Sequence, residues 1–132
     1  MSQTMTNADV VRRGYQAFNE ADIERLDQLF RDDATWTTPG ESTVAGTARG
    51  KSAVFNQLGR YGAETNGTFK AQLQTVFEAA DGQVIGLHRN TGERDSHQPD
   101  TMCCIVFEVE SGQIKAGTEY FFDLHNWDQF WS

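Results

Sequence analysis

Residues 100–124, DTMCCIVFEVESGQIKAGTEYFFDL, contain two runs of alternating apolar and polar residues on either side of Ser111-Gly112. Because successive side chains of a strand point to opposite faces, this pattern predicts two paired strands joined by a tight turn. Two earlier runs of the same kind flank Asp81-Gly82, a dipeptide favoured in hairpin turns. The predicted strands lie at roughly 68–80, 83–94, 100–110 and 113–124. Their short connections predict an antiparallel meander.

The residues before this meander have a helical period. A first helix is predicted from Thr6, where Asp9 stands at the capping-box position. A second, short helix is predicted after the N-cap residue Asp22, with Ile23 on its apolar stripe. A third helix is predicted to start near Gly50.

The segment between the second and third helices predicts a short strand at 34–37 and a polar loop from Pro39 to Arg49, a candidate lid or rim. Three helices followed by four strands bury their apolar faces best as an α+β domain, with the helices on one side of a curved sheet. A chain of 132 residues has the size of one such domain, so residues 1–132 are expected to form it.

The charge of the chain excludes several classes of partner. Nineteen acidic residues against eleven basic ones give a formal net charge of -8, and the resulting field repels phosphates and anionic lipid headgroups. We therefore expect neither nucleic acid nor a membrane as a partner. No apolar run approaches the ~20 residues that a membrane span requires. Residues 1–9 lack the basic and apolar regions of a secretory signal, so a cytoplasmic location is expected.

Metal and cofactor chemistry also find little support in the sequence. Cys103 and Cys104 are adjacent in a predicted strand, where their side chains point to opposite faces, so no disulfide between them is expected. The three histidines show no local metal-ligand spacing. Segment 45–52 (AGTARGKS) is close to a phosphate-binding loop but lacks its first glycine and follows polar residues. We expect no metal and no other cofactor.

The last predicted strand carries two carboxylates. Its period of two places Glu119 and Asp123 on one face, with the Phe121 ring between them. A carboxylate enclosed in a pocket has a shifted pKa and can remove a proton or activate water. The alternative is that both side chains face solvent.

A cation on strand 83–94 is the candidate partner of these carboxylates. Arg89 shares a face with Ile85 and Leu87, which indicates that this face is the inner one. Arg89 can then meet Glu119 or Asp123 inside a pocket. The alternative is an ordinary cross-strand ion pair at the surface.

Two aromatic features allow a structural or a ligand-binding interpretation. Tyr15 lies on the apolar stripe of the first helix, either as a hydrogen-bond donor to a ligand oxygen or as a core ring whose hydroxyl reaches water. Trp127, Phe130 and Trp131 have helical spacing near the C-terminus. They form either a turn that plugs one end of the core or a wall of the ligand pocket.

Five segments carry a family resemblance: 29–36 (LFRDDATW), Pro39-Gly40, 46–54 (GTARGKSAV), 106–114 (VFEVESGQI) and 119–123 (EYFFD). In this order and spacing they resemble the SnoaL-like, ketosteroid-isomerase-related branch of the NTF2-like superfamily. The resemblance implies a cone, in which three N-terminal helices pack in a strongly curved antiparallel sheet around an apolar pocket. It also implies a homodimer.

Steroid isomerases of this family combine a carboxylate base with a tyrosine and a protonated aspartic acid. The resemblance puts Tyr15 at the tyrosine position. It puts Thr38 at the base position and Ile105 at the acid position, and neither residue can perform that role.

Two other enzyme types of the family fit different residues. In the epoxide-hydrolase pattern, Arg89 and Glu119 match two of the three water-activating positions, and Thr91 replaces the middle aspartate. In the polyketide-cyclase pattern a late acidic residue is the general base, a role that Glu119 or Asp123 can fill.

We therefore expect a SnoaL-like protein that binds a small apolar carbonyl compound, an isomerase or cyclase type of enzyme that transfers a proton with a pocket carboxylate. Asp123 or Glu119 is the expected base, Arg89 orients it or stabilises negative charge, and Tyr15 donates a hydrogen bond. The expected pocket lining is Trp36, Thr38, Ile105, Phe121 and Trp127. The alternatives are a non-catalytic ligand-binding or dimerisation module and an enzyme that activates water as epoxide hydrolases do.

Overall fold

The computed structural model describes residues 5–99 and 101–132. In chain order the elements are α1 (Asn7–Asn19), α2 (Ile23–Leu29), β1 (Phe30–Thr38), β2 (Gly46–Arg49), α3 (Lys51–Ala63), β3 (Lys70–Glu78), β4 (Gln83–Thr91), β5 (Met102–Glu110), β6 (Gln113–Phe121) and α4 (Leu124–Phe130). Residues 1–4 of the segment searched for a secretory signal, and residue 100 of the predicted strand 100–110, lie outside the described residues.

The helix starts follow the predicted capping chemistry. The Thr6 side chain accepts from the Asp9 backbone N–H and the Asp9 side chain accepts from Thr6, which closes the capping box of α1. Asp22 caps α2 in the same way through the Arg25 N–H. The placement of Ile23 on a buried stripe is wrong, since its side chain is 60% exposed. With seven residues, α2 turns only Leu26 and Leu29 to the core.

The described strands form one curved sheet in the order β2-β1-β6-β5-β4-β3. The antiparallel meander of β3 to β6 is confirmed. β1 is longer than the predicted strand 34–37 and pairs with β6 in the parallel sense, so the sheet is mixed rather than wholly antiparallel. The predicted loop 39–49 contains β2, a strand of four residues that pairs with β1. Such a short strand leaves no measurable periodicity in the sequence.

The inner face of β4 is the one opposite to the prediction. Val84, His88 and Asn90 are buried, with Gly86 between them, while Arg89 is exposed on the outer face. Both faces of β4 carry apolar residues, so alternation alone does not identify the buried one. Gly86 decides it, because a Cβ there would lie 2.8 Å from the Tyr15 hydroxyl, and only a residue without a side chain leaves room for that ring.

The C-terminal segment forms a fourth helix, α4, that closes one end of the core. Trp127 and Trp131 are fully buried, and the Trp131 ring stacks on Tyr61 with 5.3 Å between ring centroids. Phe130 packs edge-on against Trp131. The interpretation of this segment as a plug of the core is therefore confirmed.

Candidate functional site

A cavity of about 50 Å³ lies between α1, α3 and the inner face of the sheet. Most of its wall is apolar, and the polar exceptions include Tyr15, His88, Asn90 and Glu119. Among its lining residues only Phe18, on α1, is more than marginally exposed to solvent. The cavity is therefore an enclosed apolar space with a few polar groups in its wall, which is the usual composition of a small-molecule site.

Glu119 is the buried carboxylate of this cavity, with a side chain held by three hydrogen bonds to one oxygen. Its Oε1 accepts from Trp36 Nε1 at 2.9 Å, from the Thr38 hydroxyl at 2.7 Å and from the Tyr61 hydroxyl at 2.7 Å. Gln57 Nε2 in turn donates to the Thr38 oxygen at 2.8 Å, which directs the Thr38 proton to Glu119. The three donors come from β1 and α3 and meet a carboxylate on β6.

The other oxygen of Glu119, Oε2, is less strongly hydrogen-bonded. Within the described part of the chain, the Cys103 thiol donates to Oε2 over a long distance of 4.0 Å. Burial raises the pKa of that thiol, so it stays protonated. A proton on Glu119 therefore belongs on Oε2, since Oε1 is already surrounded by donors.

Burial raises the pKa of Glu119 above its ordinary value, against the opposing effect of the hydrogen bonds from Thr38, Trp36 and Tyr61. A carboxyl group of raised pKa binds a proton more readily than a surface carboxylate, and this favours a role as general base and, once protonated, as general acid. Burial likewise raises the pKa of Tyr15 and Tyr61, so both phenols stay neutral.

A second polar cluster lines the cavity and links α1 to β4. The Tyr15 hydroxyl lies 2.7 Å from His88 Nδ1, and His88 Nε2 lies 2.9 Å from Asn90 Oδ1. An amide oxygen only accepts, so His88 Nε2 carries the proton and His88 Nδ1 accepts from Tyr15. Burial lowers the pKa of His88 to about 4, which keeps the ring neutral.

The structure brings together part of the predicted site. Tyr15, Trp36, Ile105 and Glu119 all line the cavity, and Ile105 is the direct cross-strand neighbour of Glu119. Thr38 is 2% exposed and reaches the cavity through its hydrogen bond to Glu119.

Four other predicted residues lie elsewhere. Asp123 is exposed at the N-cap of α4, where its Oδ1 accepts from the Asn126 N–H, because β6 ends two residues earlier. Arg89 lies on the outer face of the sheet, opposite to Glu119, which removes the arginine that epoxide-hydrolase-like water activation would use. Phe121 and Trp127 stack on each other with 4.0 Å between ring centroids, outside the cavity wall.

Sequence reasoning missed three polar residues of the site: Tyr61, His88 and Asn90. Tyr61 is a buried residue of α3, and nothing local in the sequence distinguishes a core tyrosine from a carboxylate donor. His88 and Asn90 stand two apart, as residues on one face of a strand do, but the wrong inner face was assigned to β4. The combination of two polar residues with a glycine on that face was the available signal.

Residues 5–99 and 101–132 contain neither a metal-binding cluster nor a membrane-spanning helix. No group of three or more His, Cys, Asp or Glu side chains there is arranged to hold a metal ion. None of the helices in the same part of the chain has the length and apolar character that crossing a bilayer requires.

Comparisons with known proteins agree on one family. The sequence model of the SnoaL-like domain matches residues 11–117. A protein of Mycobacterium tuberculosis (strain ATCC 25618 / H37Rv), described as uncharacterized, is 33% identical over 124 residues, which cover 94% of this chain and 95% of that protein.

Solved structures extend this agreement to the fold. Bal32a, from a soil-derived mobile gene cassette, is 53% identical with a TM-score of 0.93, and the match covers 96% of each chain. An NTF2-like protein of Burkholderia thailandensis E264 is 21% identical with a TM-score of 0.85, and the match covers 98% of this chain and 99% of that one. At that identity the likeness concerns the fold alone.

Proposed function

The chain belongs to the SnoaL-like family, and from that premise we propose that it binds a small apolar carbonyl compound in the cavity and transfers a proton on it. Glu119 is the proposed general base. The observation that carries the proposal is the position of this carboxylate. Among the described residues it is the only buried acidic side chain, and it lies in the wall of an apolar cavity.

The proposed reaction uses the two oxygens of Glu119 differently. Oε1 stays fixed by its three donors, while Oε2 takes a proton from a carbon next to the ligand carbonyl. The electron pair of the broken C–H bond moves into the carbonyl group and gives an enolate. Oε2 then returns the proton to the same carbon, or to a conjugated one, and the double bond shifts.

The size of the cavity limits the ligand. A volume of about 50 Å³ is a third of the roughly 150 Å³ that accommodates benzene in an engineered protein cavity. A ligand therefore inserts a carbonyl head of a few atoms, or it moves a wall residue aside. Phe18 is the proposed entry point, because it is the half-buried residue of the wall, and its ring meets Phe69 edge-on with 6.2 Å between ring centroids.

Exchange of α-hydrogens for deuterium tests the proposal. Small ketones and β,γ-unsaturated ketones are incubated with the protein in D2O, and deuterium uptake and double-bond position are followed by NMR. The wild-type protein is expected to accelerate exchange of at least one of them. Glu119→Gln keeps the shape and the Oε1 acceptor but removes the base, and we expect it to lower the rate at least a hundredfold.

The matched control is Glu78→Gln, the same chemical change at an exposed position of β3. It is expected to keep the wild-type rate. Wild-type rates in Glu119→Gln would contradict the role of Glu119. Binding of a ketone without any exchange would favour the second candidate function, a protein that only binds its ligand.

We also propose that the chain forms a homodimer through the outer face of its sheet. The outer apolar face consists of Phe77, Ile85, Leu87, Cys104, Val106 and Tyr120. Phe77 and Tyr120 are 52% and 55% exposed, which is unusual for rings of this size in a soluble monomer. Arg89 lies at one end of this face and Glu108 at the other. A two-fold axis through the centre would bring these opposite charges together.

A further inference from the structure

Asn90 carries a buried hydrogen-bond donor without a partner. Its side chain is 1% exposed, and within the described residues its Nδ2 group has no hydrogen-bond acceptor. Leaving a buried amide N–H group without an acceptor costs free energy, so buried polar groups are nearly always satisfied by protein, water or ligand. Four buried side-chain atoms in that part of the chain lack a partner, and only Asn90 Nδ2 belongs to a residue of the cavity wall.

The cluster behind this amide engages its oxygen and leaves its Nδ2 group without a partner. The Tyr15 proton is directed to His88 Nδ1, and the His88 Nε2–H group is directed to Asn90 Oδ1. Each group donates to the next, so the chain of hydrogen bonds is polarised in one direction and ends at Asn90 Nδ2. Because its single proton is used in this chain, the Tyr15 hydroxyl has none left for a ligand.

From this chain we infer that Asn90 Nδ2 donates the hydrogen bond to the carbonyl oxygen of the ligand, and that Tyr15 and His88 are positioning residues that hold its amide in place. The inference rests on the proposed function and names the ligand chemistry: an acceptor oxygen at Asn90 and an acidic C–H group at Glu119. It moves the donor role from Tyr15, where the family resemblance puts it, to a residue of β4.

A pair of ring compounds of equal shape tests this assignment. Cyclopentanone carries the acceptor oxygen, and methylenecyclopentane has a CH2 group in its place. Dissociation constants for both are measured by NMR titration at pH 7.5 with the wild-type protein and with Asn90→Asp, Asn90→Leu and Tyr15→Phe. Asn56→Asp, an exposed position on α3, is the matched control.

We expect Asn90→Leu, of similar size and without a donor, to weaken cyclopentanone binding about fivefold to tenfold, the loss of one neutral hydrogen bond, and to leave methylenecyclopentane binding within twofold. Asn90→Asp is the second variant: its carboxylate oxygen would face the ligand oxygen and should weaken cyclopentanone binding at least as much. If Asn90 has a purely structural role, its variants will weaken the binding of both ligands equally, and this result would overturn the inference. Asn56→Asp is expected to change neither constant.

Tyr15→Phe separates positioning from direct donation. If Tyr15 is a positioning residue, Tyr15→Phe should weaken cyclopentanone binding less than the Asn90 variants do. The ¹⁵N chemical shifts of His88 should also change, from those of the wild-type Nε2–H tautomer towards those of a mixture of tautomers. A full loss in Tyr15→Phe with no effect in Asn90→Leu would assign the donor to Tyr15 and overturn the inference. If the wild type binds neither ring, the proposed cavity function itself fails, whereas binding of both with no Asn90 effect refutes only the present inference.

Discussion

The charged form of Glu119 is less stable than the charged form of a surface glutamate. Its three hydrogen bonds favour the carboxylate, but burial in the apolar cavity outweighs them and raises its pKa. A folded protein that holds such a group ionised has a lower free energy of unfolding than it would have with a neutral residue of the same shape. Such a cost is expected where a residue is kept for chemistry rather than for packing.

The sign of this cost gives a stability prediction for Glu119→Gln. Between the ordinary pKa of 4.5 and the higher folded value, the folded chain holds a proton that the unfolded chain has lost. The stability contributed by Glu119 is therefore fully present below pH 4.5 and falls as the pH rises through the folded pKa. We expect Glu119→Gln to be more stable than the wild type at pH 8 and the difference to shrink as the pH approaches 4, measured by denaturant unfolding. Glu78→Gln, at an exposed position of β3, is the control, and a constant difference in Glu119→Gln would contradict the assignment.

At the scale of the elements, the pairing of β1 with β6 positions the carboxylate. Trp36 and Gly117 are register partners in this parallel pair, and the Trp36 ring lies directly over Gly117 on its way to Glu119. A Cβ at position 117 would overlap that ring. Because Gly117 has no side chain, β6 leaves room for the Trp36 indole of β1 to reach Glu119.

We predict that Gly117→Ala displaces Trp36 and weakens its hydrogen bond to Glu119. Overpacking of this kind costs about 1–3 kcal/mol of unfolding free energy. The changed environment of the indole should also shift the tryptophan fluorescence. Gly59→Ala is the control, since a Cβ at this position of α3 meets nothing within 4 Å and alanine favours a helix. It should stabilise the protein by about 0.5–1 kcal/mol, and an unchanged spectrum and stability in Gly117→Ala would refute the contact.

At the scale of the whole molecule, the sheet separates two functions. Its inner face carries the cavity, while the proposed dimer contact lies on the outer apolar face. A net charge of -8 favours separate molecules, so association depends on apolar contact and on the local pairing of Arg89 with Glu108.

The dimer is tested by sedimentation at micromolar concentration. The chain has a mass of 14.8 kDa, and we expect a species of twice that mass for the wild type. Tyr120→Glu places a charge on the outer apolar face and should raise the dissociation constant at least tenfold, whereas Asn56→Glu adds the same charge on exposed α3 and should not. A wild type that sediments only as a monomer would contradict the proposal.

The sequence by itself determined what depends on neighbouring residues. Thr6 with Asp9 and the side chain of Asp22 mark the helix starts, and the turns at Asp81-Gly82 and Ser111-Gly112 determine the meander. These features follow from local hydrogen bonds and backbone preferences, which act within a few residues. The alternation along β6 also placed Glu119 and Phe121 on one face, but it left open whether that face is the inner one.

Only the tertiary structure decided what depends on contacts between distant segments. Apolar residues on both faces of β4 left its inner face undetermined until Tyr15 packed against Gly86. The same packing turned His88 and Asn90 into the cavity and left Arg89 outside. Burial, the shifted pKa values and the single unpartnered amide arise from these contacts, because desolvation depends on everything that surrounds a group and not on its place in the sequence.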